Sequence, residues 1–458
     1  MGKRKIHPYI YIIMTFVGVI LVGTALLALP ISSRTGESFG FIDSFFMATS
    51  CVCVTGLSVM PNGVAADMTV FGKVVMIFLM EIGGLSIITI AVFFFTILGA
   101  KIGLGNRLLL REALNQNTAS GLLRLVKKIM LISLTVQIIG TLINWYPIYE
   151  FIKVTKTSNN LVMDALGMSI YHSAAAFNNA GFDIFGAHSM EDFASNAHVV
   201  SMASWIIMNT STMLMIILGG LGFVVIDDII KHRHWRKLTL HTKITIIATA
   251  LLILGGGFLI KLTSQMGWME SFFTSVTSRT AGFATYNMAN LKDSPAAYMV
   301  ICSLMLIGAS PCSTGGGIKT TTFAVIIIAI CYFARGRRSK AFKRRIPHDQ
   351  TFRAFILFAV AVFILVFNTF LVSAIQPELG VSEVFFEITS AFSTTGLSMG
   401  ITTSLNGVNR LIVSAVMLLG RLGPLTVIGV LNKNWVSDKQ EQIQYVEESV
   451  MIGWKKAL

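Results

Sequence analysis

The sequence predicts an all-α integral membrane fold: four tandem span, pore-helix, span repeats around one pore, with eight full transmembrane helices and four re-entrant pore loops. Three observations lead there. The 458 residues are 54% hydrophobic and only 13% charged, which sets a soluble domain aside. Eight apolar stretches can cross the hydrocarbon core as helices, a task that takes about 20 residues each: 9–30, 70–98, 126–147, 198–226, 242–262, 295–333, 352–375 and 407–430. Between them, four shorter hydroxyl-rich segments end in a small residue, Gly, and Leu or Phe. They read MATSCVCVTGL, SAAAFNNAGF, TSVTSRTAGF and ITSAFSTTGL, with Gly56, Gly181, Gly282 and Gly396 in register.

The short segments carry the chemistry. With only about 10 to 12 residues before the glycine they cannot span a bilayer, and non-helical backbone at that depth must be buried by protein or line water. Glycine permits the backbone angles that turn carbonyl oxygens toward one axis. Four such strands would replace the hydration shell of a cation, and each half-helix would point its negative C-terminal end at the ion. The expected ion-binding residues are Val54, Thr55 and Gly56, then Asn179, Ala180 and Gly181, then Thr280, Ala281 and Gly282, then Thr394, Thr395 and Gly396.

The glycines stand 125, 101 and 114 residues apart. That spacing gives repeats over about 1–110, 111–235, 236–345 and 346–458, the third containing an unusual loop at 308–322 and the fourth a C-terminal tail. The net charge is +14, concentrated in alternate loops: Lys3 to Lys5, Lys101 to Lys128, Lys231 to Lys243, Arg335 to Arg345, and the tail from Lys433. The positive-inside rule then puts both termini in the cytoplasm and the glycine turns outside. Topology accounts for this charge better than nucleic-acid binding does. Every repeat begins with a basic segment, so all four run the same way, unlike the inverted repeats of many secondary transporters. The first apolar stretch reads as a span and not as a cleaved signal peptide. Cys51, Cys53, Cys302, Cys312 and Cys331 all lie in apolar or re-entrant segments, where neither disulfides nor zinc are expected.

The spans that follow each glycine turn add a second signal. Gly83 and Gly84 in span 2, and Gly219, Gly220 and Gly222 in span 4, suit close helix contact. Span 6 is longer than a bilayer requires and contains GASPCSTGGGIKTTT from Gly308 to Thr322. Pro311 and three successive glycines break a helix, so the span reads as two half-helices joined by a flexible polar loop. As a gate, that loop would use Pro311, Ser313, Thr314, Gly315, Gly316, Gly317 and Lys319 together with Arg421. Arg421 lies midway along span 8, where a charge costs roughly 2.5–3.5 kcal/mol. Either it pairs with Glu81 or it lines the cavity below the glycine turns as a fixed positive charge. Arg279, three residues before Gly282, is expected to turn behind the turn toward a carboxylate such as Glu387. The pairs Phe45 and Phe46, Phe272 and Phe273, and Phe385 and Phe386 read as packing.

With these residues in view, the chain resembles the Trk/Ktr/HKT superfamily of potassium transporters, and in particular the membrane (KtrB-type) subunit of bacterial Ktr systems. The likeness rests on the four turns CVTGL, NNAGF, RTAGF and STTGL, the interrupted third inner span and the Arg in the fourth. It implies selective potassium uptake at the plasma membrane, with potassium held at backbone carbonyls near Gly56, Gly181, Gly282 and Gly396. It further implies a homodimer with one pore per subunit, docked on a cytosolic, KtrA-like RCK ring that responds to ATP and ADP. This chain has no phosphate-binding loop, so nucleotide control is expected through the partner and no cofactor is expected here. One glycine stands in each strand where a T-V-G-Y-G filter has two, so weaker discrimination and sodium passage or activation are expected.

A sodium- or proton-coupled transporter of alternating access is the alternative. Such coupling usually needs intramembrane carboxylates, and only Glu81 and the span-end Asp227 and Asp228 come near. A membrane enzyme is disfavoured, since no span or loop carries a catalytic constellation.

Overall fold

In the computed structural model, which describes residues 8–86, 89–93, 122–155, 160–186, 190–195 and 200–423, the described chain is helical apart from one small hairpin, isolated bridges and connecting turns. Helix α1 (Pro8–Leu27) leads to α2 (Phe41–Cys53), α3 (Gly63–Asp67) and α4 (Val70–Leu85). Then come α5 (Leu122–Thr155), α6 (Leu161–Phe177), α7 (Met190–Ser195), α8 (Met202–Gly220) and α9 (Phe223–His232). Next are α10 (Leu240–Thr263), α11 (Trp268–Thr277), α12 (Pro295–Leu306) and α13 (Thr320–Phe333). A hairpin, β1 (Lys340–Ala341) with β2 (Arg344–Arg345), precedes α14 (His348–Ile375), α15 (Val381–Ser393) and α16 (Gly407–Leu422).

Five of these helices, α1, α5, α8, α10 and α14, are long and apolar enough to cross a membrane. Their outward faces are hydrocarbon, with Leu131, Leu251 and Phe363 each 67% exposed. The expectation of eight full spans is corrected at span 2, while span 6 is divided as its sequence indicates. Span 2 is α4, 16 residues long, which stops at Ser86 with φ +69°, and a further helical stretch follows at 89–93. Span 6 is two helices, α12 of 12 residues and α13 of 14, because Pro311 and Gly315–Gly317 deny the backbone a continuous ladder. Span 8 is α16, which ends at Gly423 with φ +81°; its remainder, the end of span 2, the start of span 4, the first repeat boundary and both terminal basic groups lie outside the described residues. Conversely, α5 runs on through Pro147 to Thr155, well past the expected end.

Caps set several helix starts. The side chains of Thr69, Ser201, Thr239 and Asn406 accept hydrogen bonds from the backbone N–H groups of Gly72, Ser204, Thr242 and Asn409. Each of the short helices α2, α6, α11 and α15 is sandwiched between longer ones, so α2 packs on α1 and α4, and α15 on α14 and α16. Their inner members of the aromatic pairs, Phe46, Phe273 and Phe386, are fully buried. The turn between α9 and α10 is tied by Asp228, whose carboxylate accepts from Thr239 N at 3.0 Å, Thr239 Oγ1 at 2.9 Å and Thr242 Oγ1 at 2.5 Å. Burial would push that carboxyl up, but bonds from Thr242, Thr239 and His232 outweigh it and hold the pKa at about 2.

Candidate functional site

The four short helices end at one place. Past each C-terminus the chain turns, and Gly56, Gly181, Gly282 and Gly396 meet there with φ of +96°, +69°, +85° and +95°. A methyl group on Gly56 would lie 2.7 Å from the Ala180 carbonyl oxygen and 2.9 Å from Gly181 Cα. One on Gly181 would lie 2.5 Å from Ala281 O, one on Gly282 would overlap Thr395 O, and one on Gly396 would overlap Thr55 O. The series closes on itself: each glycine abuts the carbonyl that precedes the next glycine. No side chain fits at any of the four.

Two residues before each glycine the backbone is again left-handed. Val54 (φ +57°), Asn179 (+57°), Thr280 (+116°) and Thr394 (+52°) all sit at positive φ, whereas Thr55, Ala180, Ala281 and Thr395 between them do not. For the β-branched residues this geometry is strained, and such strain persists only where surroundings over-determine it. Its effect is to alternate the sign of φ along each strand, the geometry that lines successive peptide groups up on one side.

Hydrogen bonds fasten the turns to the helices behind them. Thr55 N donates to Ser50 O at 2.8 Å, Ala180 N to Ala175 O at 2.8 Å, Ala281 N to Thr277 O at 2.8 Å and Thr395 N to Ser390 O at 2.9 Å. In the first and fourth turns the glycine N–H is also held, by Ser50 Oγ at 3.2 Å and Ser390 Oγ at 2.9 Å. The Asn179 side-chain amide lies 3.1 Å from Thr280 Oγ1 and links neighbouring strands. A cavity of about 440 Å³ opens on one face of the ring, lined by the four glycines and rimmed by Asp183 and Glu191.

The opposite face is covered by the segment between α12 and α13. Gly316 N donates to Thr394 Oγ1 at 3.0 Å, and Thr314 Oγ1 donates to Phe177 O at 3.3 Å. Gly315 and Gly316 leave no room for a Cβ against the Thr280 and Thr394 side chains, and Gly317 (φ +67°) passes Ser393. On its other side the segment is bonded to the end of α8: Ser310 N to Gly220 O at 3.1 Å, Thr314 N to Gly219 O at 3.2 Å, and Phe223 N to Cys312 O at 2.9 Å. Pro311 lies here too, its carbonyl against Gly222. Ser313 and Lys319 close the loop on itself, through Ser313 Oγ to Ser310 O at 2.6 Å and Lys319 Nζ to Gly315 O at 2.7 Å. Arg421 reaches across from α16 and donates to Thr314 O, to Gly83 O and, at 3.2 Å, to Gly84 O.

Of the two readings of Arg421 the ion pair falls, and the ion pair expected for Arg279 is corrected. Arg421 makes none with Glu81, whose carboxylate instead accepts from Gln137 Nε2 at 2.7 Å and Asn178 Nδ2 at 2.9 Å. Arg279 does turn behind its strand, yet it donates from Nη2 to Thr320 Oγ1 at 3.0 Å, and Thr320 Oγ1 donates in turn to Gly308 O at 2.9 Å. Glu387 is taken by the hydroxyls of Ser398, at 2.7 Å, and Thr402. A guanidinium carries five donors and serves carbonyls and hydroxyls as readily as carboxylates, so sequence alone did not select between them.

Sequence reading passed over several residues that shape the site. Ser50 and Ser390 are the clearest, six positions before their glycines and distinguishable only by that shared spacing. Gly83 and Gly219, already read from sequence as close-contact glycines, form a set with Gly420. A Cβ on each would overlap the carbonyl oxygen of Val52, Phe177 or Phe392, in every case the residue four before the ring glycine. The close contact read from sequence as helix on helix is therefore contact with a carbonyl in the last turn of the short helix.

Comparison with known proteins agrees with this architecture. The chain matches the family described as TrkH, cation transport protein, over residues 4–256 and 237–443. It is 34% identical to the potassium/sodium uptake protein NtpJ of Enterococcus hirae, covering 98% of each chain. It is 35% identical to Ktr system potassium uptake protein B of Vibrio alginolyticus, over 96% of this chain and 94% of that one. The corresponding Bacillus subtilis protein B is 33% identical, over 95% and 94%. In fold it resembles the crystal structure of the potassium transporter TrkH from Vibrio parahaemolyticus, with a TM-score of 0.70 and 16% identity, covering 95% of this chain and 87% of that one. Full-length identity above 30% and a family match across both halves mean that this chain belongs to the TrkH family of cation transport proteins, multi-pass membrane proteins and not enzymes.

Proposed function

We propose that the chain takes up potassium by letting the dehydrated ion pass through the ring of Gly56, Gly181, Gly282 and Gly396. One observation carries the reading: four strands at positive φ close on one another with only backbone at the centre, so carbonyl oxygens are what an ion would meet. The names of the Enterococcus, Vibrio and Bacillus relatives, each a potassium or potassium/sodium uptake protein, support the choice of ion. Each repeat, 1–110, 111–235, 236–345 and 346–458, supplies one quarter of the pore. Val54, Thr55, Asn179, Ala180, Thr280, Ala281, Thr394 and Thr395 complete the ion-coordinating strands.

The segment 308–322 is the gate in this reading, and the contacts of Gly315–Gly317 with the underside of the ring support it. The charge distribution supports cytoplasmic termini and a gate on the cytoplasmic side of the ring. The partner is a cytosolic nucleotide-binding ring that meets the basic face of a homodimer, and the naming of two relatives as parts of a Ktr system supports a multi-component assembly. Sodium enters as an activator or a poorly rejected competitor.

The test is to replace Gly56 or Gly396 by Ser. Forcing a side chain to φ near +95° costs roughly 1–2 kcal/mol, and the new atoms collide with the neighbouring strand. Potassium uptake into liposomes should show a higher half-saturation and a lower preference over sodium. Folded variants with wild-type half-saturation and selectivity would remove the ring from the ion path.

A further inference from the structure

The end of α13 and the start of α14 enclose a cavity of about 730 Å³ that the transport reading does not use. Its walls are apolar: Ala329, Ile330 and Phe333 from α13, Phe352 and Phe355 from α14. Three of these are large and open, with Phe333 67%, Phe352 59% and Ile330 51% exposed. Arg337, Arg338 and Arg345 stand at its rim, with the smaller polar groups of Ser339, His348 and Thr351.

The arginines are presented by ordered backbone. Arg337 N donates to Tyr332 O at 3.0 Å, Ile346 N donates to Ser339 O at 3.1 Å, and the hairpin pairs Lys340 with Arg345. The Lys243 ammonium, 6.0 Å from the Phe342 ring, abuts the hairpin tip. Among the described residues none of the three arginines has a carboxylate partner, and Asp349 is engaged by Arg353 at 3.0 Å. Among the described residues no acidic side chain lines the cavity.

This juxtaposition lies where an apolar span ends, the level at which lipid phosphates sit. Free phosphate would use the arginines and leave the aromatic walls wet, while a neutral lipid would use the walls and leave three cations unpaired. We propose that the cavity binds one anionic phospholipid, its phosphate held by Arg337, Arg338 and Arg345 and its acyl chains laid on Ile330, Phe333, Phe352 and Phe355. The site would tie α13, which continues from the gate segment, to α14.

The experiment is native mass spectrometry of the full-length protein in neutral detergent, titrated with dioleoyl phosphatidylglycerol or dioleoyl phosphatidylcholine. Wild type should retain one phosphatidylglycerol in preference to phosphatidylcholine. Each basic group near an anionic head is worth about fivefold in affinity, so Arg337→Gln, Arg338→Gln and Arg345→Gln together should weaken binding about 100-fold. Phe333→Ala with Phe352→Ala should weaken both lipids, and Lys261→Gln, at the opposite end of α10 from the Lys243 that abuts the hairpin, should weaken neither. Equal retention of the two lipids by wild type would overturn the proposal without need of any variant. So would undiminished phosphatidylglycerol binding by the triple variant, displacement by glycerol 3-phosphate at matching concentration, or a triple variant whose only change is in oligomeric state, which would make the face a subunit contact.

Discussion

Arg421→Ala is the perturbation with the most to say about gating. Of its three acceptors, Gly83 O and Gly84 O join α16 to α4, and neither belongs to the loop. Of the three, only the bond to Thr314 O reaches the segment between α12 and α13, where it adds to the backbone bonds that tie the segment to α8. A hydrogen bond from a charged donor contributes about 1.5–3 kcal/mol, so losing it should shift the loop equilibrium toward the displaced state roughly 10- to 100-fold. A second effect has the same sign, since removing a cation beneath the ring lowers the barrier for another cation arriving there. Rubidium uptake into liposomes, without any cytosolic partner, should rise by about tenfold or more while potassium-over-sodium preference stays near wild type, because the ring is untouched. Arg421→Lys, which keeps the charge but lacks the planar fork that serves Thr314 and Gly83 together, should lie between the two. A folded Arg421→Ala protein with wild-type flux that still requires the partner would refute the argument, and Arg421 would then be a brace between helices.

Ser390→Ala removes the acceptor of the Gly396 N–H and leaves a half-buried donor unpaired, at a cost of about 1 kcal/mol in the turn. Potassium half-saturation should rise severalfold, Ser390→Thr should restore it, and unchanged competition between potassium and sodium would deny Ser390 any part in shaping the ring. Asp228→Asn tests the turn between α9 and α10. The folded carboxyl titrates at about 2 against an ordinary 3.8, so its contribution of about 2 kcal/mol is complete above pH 4 and fades as pH falls through 2. Thermal unfolding in detergent should show the variant less stable at pH 7 and the gap narrowing on acidification; a gap independent of pH would assign the loss to shape alone.

What was legible in the sequence follows from what each residue type permits. The ring was legible because positive φ beside a neighbouring backbone admits glycine and little else, so Gly56, Gly181, Gly282 and Gly396 mark themselves. The left-handed backbone at Val54, Thr280 and Thr394 was not legible, because propensity places β-branched residues in extended backbone and only closure of the ring forces them left-handed. The break in span 6 declared itself through Pro311 and three glycines. The one at Ser86 did not, because one small residue in an apolar run looks the same whether the helix continues or stops, and the stop at Gly423 was legible only from the Pro424 that follows it. The partners of Arg279 and Arg421 depend on how distant segments stack, and Thr320 and Thr314 carry no charge that would have drawn attention to them.

The repeats and the 308–322 segment meet in one alignment that only the folded chain supplies. Where the inner helices pass the ring, the chain reads Gly83-Gly84-Leu85-Ser86, Gly219-Gly220-Leu221-Gly222, Gly308-Ala309-Ser310-Pro311 and Gly420-Arg421-Leu422-Gly423. In the first, second and fourth the leading glycine lies under a carbonyl at the end of a short helix, and the helix stops three residues later at φ of +69°, +91° and +81°. In the third, Gly308 faces the carbonyl of Gly316 instead, so the loop has inserted itself into the contact that the other three make with the short helix. At the second position Gly84, Gly220 and Ala309 are small, and Arg421 alone is long. A fourfold structure with identical subunits would have to place four arginines beneath the ring or none. Four covalently joined repeats can place a single one, bonded to a single loop, without surrounding the ring with positive charge.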